Sequence, residues 1–257
     1  MCILFVAIEQ HEHYPLIIAA NRDEFFNRPT LPSHFWGEQK QVLAGIDEQA
    51  GGTWMGINQA GNIAALTNIR APDSIQQDAI SRGKLVSHYL CQPKVDYEVD
   101  LQRTKQHYNG YNLLYGPWNN LKVYNNHLDQ ISTLTQGFYG LSNASLNSPW
   151  PKLNKGVTRL KAYCEQGEQD SHNVEFTALF DLLLDTTPAL DHELPQTGVP
   201  IDWERRLSSI FIQGENYGTR SSTILKVDKH NRVSWCERTF SNTANCVSEQ
   251  NYQFNIN

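Results

Sequence analysis

Cys2 stands directly behind the initiator Met, and its side chain is small enough for an aminopeptidase to remove Met1. A thiol and a free α-amine would then share one residue. With reference pKa values near 8.5 for the thiol and about 7.7–8.0 for the amine, the amine can hold or receive the thiol proton around neutrality. Nucleophile and base thus come together without a histidine. Such an amine acts only where neighbours hold it, so charged residues are expected where the chain folds back beside its first strand. Asn21-Arg22-Asp23-Glu24 occupies that place. Position alone leaves a second reading open, in which Cys2 is a small buried hydrophobe and residues 21–24 are a solvated strand end.

Other chemistries find less support. The nine histidines include no HExxH and form no Cys/His cluster with ligand spacing, and His11-Glu12-His13 falls in an expected exposed turn, so no metal is expected. No GxSxG nucleophile elbow occurs. Gly51-Gly52-Thr53-Trp54 lacks the Lys and the spacing of a phosphate-binding loop and reads as a turn entering a strand; no nucleotide or other cofactor is expected. The five cysteines, Cys2, Cys91, Cys164, Cys236 and Cys246, contain no CxxC pair and make neither a disulfide framework nor a zinc ribbon.

Composition narrows the partners. The 257 residues carry 21 Lys+Arg against 27 Asp+Glu, a formal charge of −6 without any block of like charge, which disfavours nucleic-acid binding. At 40% hydrophobic and 11% aromatic the chain is of globular type. Its longest apolar run, Met1 to Ile8, is far below the roughly 18 residues of a membrane span. No Lys or Arg precedes Arg22, unlike the basic start of a secretory signal, and a cytoplasmic location is expected.

The elements that must position Cys2 can be read from periodicity. Two apolar runs, Ile3–Glu9 and Leu16–Ala20, flank a polar turn and predict a hairpin. Further strands are expected at Thr53–Ile57, Ile63–Thr67, Tyr111–Tyr115, Lys122–Tyr124, Ile131–Leu134, Thr223–Val227 and Val233–Thr239. Helical spacing marks Ser81–Leu90 with a Ser cap, Leu153–Gln166 behind Pro151, and Val174–Leu184. Strands gather at both ends of the chain and helices between them, which predicts an α+β fold of antiparallel sheets covered by helices. Asp185–Pro200 reads as a long surface loop within one domain spanning residues 1–257.

Several blocks together carry a family resemblance: Met1-Cys2-Ile3, Asn21-Arg22-Asp23-Glu24, Gly51 through Asn58, and Ala65-Leu66-Thr67-Asn68. Downstream come Ser81-Arg82-Gly83, Tyr108 through Leu114, Gly140-Leu141-Ser142-Asn143 with Pro149-Trp150-Pro151-Lys152, and Tyr217 through Thr223. In this order, over about residues 1–240, they resemble the NRDE family, named after that tetrapeptide and including the transport and Golgi organisation protein 2 of animals. That family in turn resembles, more distantly, the N-terminal nucleophile hydrolases of the choloylglycine hydrolase and penicillin V acylase type. The resemblance implies a four-layer αββα sandwich of two mostly antiparallel sheets.

Carried over residue by residue, it implies Cys2 as nucleophile, Asn68 and Asn143 as amide donors to an oxyanion, and Arg220 as a cation favouring the thiolate. The acylases' Arg and Asp, three apart after the second strand, fall on Asn21 and Glu24 in an ungapped match, which leaves Arg22 and Asp23 beside them. Either Asp23 or Glu24 would then hold the amine, and Arg22 or Arg220 would sit by the sulfur. Bland roles compete: Arg220 in a structural ion pair, and the two asparagines as turn residues. The implied activity is hydrolysis of a non-peptide amide or thioester bond through a thioester intermediate. The animal relatives' association with haem and lipid handling implies the alternative of a non-catalytic protein that carries a hydrophobic ligand in the same cavity.

Overall fold

Alternating burial builds the first sheet. Along β1 (Cys2–Ile8) the residues Leu4 and Val6 face one way and Ile3, Phe5 and Ala7 the other, and both sets are buried. A strand buried on both faces belongs in the middle of a layered protein. The computed structural model describes residues 2–37, 41–92, 96–166 and 176–257. In it β1 pairs antiparallel with β2 (Leu16–Phe25) and with β10 (Gly137–Leu141). β2 continues to β11 (Tyr217–Val227), β12 (Arg232–Phe240) and β13 (Cys246–Asn255), which completes a six-stranded sheet in the order β10-β1-β2-β11-β12-β13.

The second sheet is a seven-stranded meander in sequence order. It comprises β3 (Thr30–Trp36), β4 (Val42–Asp47), β5 (Met55–Asn58), β6 (Asn62–Asn68), β7 (Tyr111–Pro117), β8 (Lys122–Asn125) and β9 (Gln130–Thr133). Leu4, Ile18, Leu225 and Trp235 of the first sheet meet Leu43, Ile57, Ile63 and Leu114 of the second in a core between them. Outside the first sheet lie α3 (Pro151–Gln166) and α4 (Thr177–Leu183), packed on Phe5, Ile17 and Ile224. Outside the second lie α1 (Gly83–Cys91) and α2 (Tyr97–Thr104), packed on Ala44, Ala64 and Leu113. The layers are therefore helix, sheet, sheet, helix, the expected αββα sandwich. A short α5 (Ile201–Arg206) follows the loop at residues 185–200. Among the described residues no helix is long and apolar enough to cross a membrane.

Close helix approach depends on glycine at α3. A Cβ on Gly156 would lie 2.1 Å from the Phe5 ring, so the helix axis sits down on β1 only because that carbon is missing.

Some expectations differ in detail. β2 runs five residues past Ala20, because Arg22 to Phe25 keep their backbone partners on β11. α1 starts at Gly83 with no side-chain cap from Ser81; its first carbonyl takes the Thr53 N–H at 3.3 Å instead, and Gly52 packs on that turn. His11 is not in an exposed turn: it is 7% exposed and stacks on Tyr163 at 5.7 Å, although Glu12 and His13 are exposed. The third predicted helix is seen as Thr177–Leu183, and its residues 174–175 lie outside the described residues.

Candidate active site

Register decides which side chains meet. Cys2 pairs with Arg22 across β1 and β2, and cross-strand partners point to the same face. That face is the inter-sheet one, where Cys2 ends the row of Leu4 and Val6 and sits half-buried at the edge of the apolar core. There the two sheets part around a chamber of about 270 Å³, bounded by Cys2, Arg22, Glu24, Trp54, Asn68 and Arg82. Arg22 lies over the Trp54 ring at 4.5 Å, with Nη2 3.9 Å from Asp47. Asp47 also accepts from Arg28 Nε at 2.8 Å, and Glu24 stands 4.0 Å from the same nitrogen.

Asp23, one residue on, faces the helices. It is 1% exposed, and its Oδ1 accepts from the Thr219 hydroxyl at 2.7 Å. A β-bulge makes this contact possible. Thr219 pairs with Asp23 and Ser221 with Arg22, so Arg220 is the extra residue between them. Burial raises the Asp23 carboxyl above its ordinary range, while Lys152, the Thr219 bond and Arg22 pull it back. Burial likewise raises the Cys2 thiol; Asp23 adds to this, and Arg22 and the Asp23 backbone N–H oppose it. Arg22 and Arg82 line the same chamber as the sulfur, and Arg22 partly offsets the rise that burial imposes on the thiol.

Asn143 follows β10 and is held on both ends of its amide. Its Nδ2 donates to the Asn68 carbonyl at 2.9 Å, and its Oδ1 accepts from Lys152 Nζ at 3.4 Å. The Ser142 hydroxyl lies 3.0 Å from that Oδ1 and 3.1 Å from the Cys2 carbonyl oxygen, and serves one at a time. With only acceptors behind Nδ2 and donors behind Oδ1, the amide has one orientation. Asn143 is 1% exposed and, unlike Asn68, is not among the residues that line the Cys2 chamber.

Sequence reasoning does not single out Lys152, yet it is 4% exposed and donates to the Leu207 carbonyl at 3.0 Å. Burial brings its pKa down to about 8; Arg70 adds to this, and Asp23, Glu204 and Cys2 oppose it. Arg70 lies over the Trp150 ring at 5.0 Å and pairs with the buried Glu204. Lys152 and Arg82 both fall inside the sequence blocks quoted for the resemblance. The Pro-Trp-Pro start of α3, which fixes where Lys152 begins the helix, is the available signal.

Not every expected residue joins this group. Asn21 points to the helix face, where its Nδ2 donates to the carbonyls of Leu183 (2.8 Å) and Ile210 (2.9 Å) and its Oδ1 accepts from Ser222 (2.6 Å). Strand parity places it with Ile17 and Ala19, so it ties β2 to α4 and does not face the thiol. Arg220 is drawn aside by the bulge; its Nη1 donates to the Phe25 and Arg28 carbonyls at 2.8 and 3.0 Å, away from the Cys2 chamber. Beyond Asn68 and Arg82 opens a second, more apolar pocket of about 310 Å³, formed by Ile69, Pro72, Ile75, Val199, Trp203 and Leu207.

Comparison with known proteins agrees in extent. The family described as Transport and Golgi organisation 2 matches residues 1–242. The mouse Transport and Golgi organization 2 homolog is 34% identical, covering 100% of this chain and 99% of the mouse protein. The human homolog is also 34% identical, over 93% of each chain. A conjugated bile acid hydrolase structure from Clostridium perfringens is 10% identical with a TM-score of 0.48, over 100% of this chain and 97% of its own. On the match over residues 1–242 and the identity to the mouse and human proteins, this chain belongs to the Transport and Golgi organisation 2 family.

Proposed function

We propose that the chain is an N-terminal-cysteine hydrolase, cleaving a non-peptide amide or thioester through a thioester on Cys2 once Met1 is removed. One observation carries this reading: the Cys2 thiol closes a chamber between two sheets, with Arg22 and Arg82 lining the same chamber and the buried Asp23 one residue beyond its cross-strand partner. In the proposed reaction the thiolate attacks the carbonyl carbon and the α-amine takes the thiol proton. Collapse of the tetrahedral species breaks the C–N or C–S bond, and the amine returns the proton to the departing group. Water then attacks the thioester, releasing the acid and restoring the thiol. Asp23, rather than Glu24, is the carboxylate for the amine, because it is buried and fixed by Thr219. Asn143, oriented by Lys152 and the Asn68 carbonyl, donates its remaining N–H to the oxyanion.

A second reading has its own support. The apolar pocket beside the chamber suits a hydrophobic ligand that is bound and passed on without bond cleavage. Intact-mass measurement separates the two. Loss of Met1, and a mass increase on Cys2 with amide or acyl-thioester substrates that Cys2→Ala abolishes, is expected of the hydrolase. Retained Met1 with unmodified Cys2 and saturable ligand binding refutes it.

A further inference from the structure

Behind the Cys2 chamber, on the other side of Arg22, lies a separate cavity of about 20 Å³. β2, β3, β11 and β12 enclose it with Arg22, Arg220, Ser221, Glu237, Trp54 and Pro32. That volume holds one water-sized particle. Three polar atoms from its walls are buried without a hydrogen-bond partner among the described residues: Arg22 Nη1, Arg220 Nε and Ser221 Oγ. Arg22 and Ser221 are each 5% exposed and are cross-strand partners, so both point inward from the same face.

The chemistry of these groups is one-sided. Guanidinium nitrogens donate and never accept, and the hydroxyl has a proton to give, so three donors border one small space. Two of them belong to cations close enough to repel each other, Arg22 buried and Arg220 half-buried. Glu237 is the single carboxylate on the cavity, and its oxygens accept from the Ser33 N–H at 2.6 Å and the Thr223 hydroxyl at 3.1 Å, not from either guanidinium. A water accepts two hydrogen bonds and must then place two protons of its own. A monovalent anion accepts all three. Sulfate and phosphate exceed the space. We propose that this cavity is a binding site for one halide ion, chloride or bromide, held by Arg22 Nη1, Arg220 Nε and Ser221 Oγ. The proposal does not depend on hydrolysis at Cys2.

Crystals of the full chain grown with sodium bromide test it directly. A single anomalous peak in this cavity is expected; a fully occupied water there, with no anomalous signal at saturating bromide, overturns the site. In solution, thermal unfolding is compared in sodium chloride and sodium gluconate at equal ionic strength. At ten times the dissociation constant, an anion that binds only the folded state favours it about elevenfold, which for a chain of this length is a rise of about 3–6 °C. Ser221→Ala and Arg220→Gln are each expected to shrink that rise. Equal midpoints in the two salts overturn the proposal. Should Arg220→Gln not fold, Ser221→Ala and the bromide crystal decide between the two outcomes.

Discussion

Lys152→Met removes a buried ammonium whose titration the structure makes visible. Lys152 is 4% exposed, and burial takes its pKa from an ordinary 10.5 to about 8. The sign follows from proton counting. An unfolded chain keeps this proton up to about pH 10.5, whereas the folded one releases it from about pH 8, so between those values the unfolded state binds more protons. Stability of the parent protein therefore gains from this group as pH rises through that window. A shift of that size corresponds to roughly 3 kcal/mol, at up to about 1.4 kcal/mol per pH unit. Met has no such proton. Tyrosines and the other cysteines titrate in both proteins and largely cancel when the two are subtracted. Urea unfolding of both proteins at half-unit steps from pH 8 to 10.5 gives that difference, which is expected to move in favour of the parent by about 3 kcal/mol. A difference that stays flat across the window refutes a buried, charge-strained Lys152, and with it the account of how Asn143 is oriented.

Two further outcomes follow from the geometry. Asn143→Ala deletes the proposed oxyanion donor, and turnover on any substrate that acylates Cys2 should fall about 10²–10³-fold with a smaller change in KM; unchanged kcat removes Asn143 from the chemistry. Gly156→Ala would ordinarily gain close to 1 kcal/mol of helix propensity, but its methyl meets the Phe5 ring at 2.1 Å, so a net loss of about 1–2 kcal/mol in denaturant unfolding is expected, and a stabilised variant would contradict the close packing of α3 on β1.

The hairpin and the residue that opens it stand out plainly in the sequence, because β1 and the start of β2 are apolar on both faces and flank a polar turn. Periodicity leaves out β3, β4, β10 and β13, of which β4 is a short apolar run and β3 and β13 have broken patterns. β3 carries Pro32 and His34 and shifts register between Leu31 and His34, and β13 alternates exposed and half-buried residues with little apolar content. Asn21 is legible in principle: parity with Ile17 and Ala19 already assigns it to the helix face. Arg220 is not, since a bulge leaves no mark in residue type. Lys152 on a helix reads as a solvated side chain until the partners that bury it, Leu207 and Asn143, arrive from 55 residues downstream and nine upstream. Contacts of that kind belong to tertiary structure and have no local signature.

The unpaired residue of β11 acts as a half-period phase change in the strand. Above it, Ser222 and Ile224 look towards the helices; below it, Thr219 does so, although an uninterrupted pleat would turn Thr219 the other way. Exchanging the side chain at position 220 preserves that frame, and deleting the position would restore a regular pleat in which Thr219, now next to Ser221, still lies opposite Asp23 and keeps its hydroxyl on the carboxyl. The bulge thus absorbs one surplus residue and sets the Arg220 side chain aside without disturbing the pairs on either side of it.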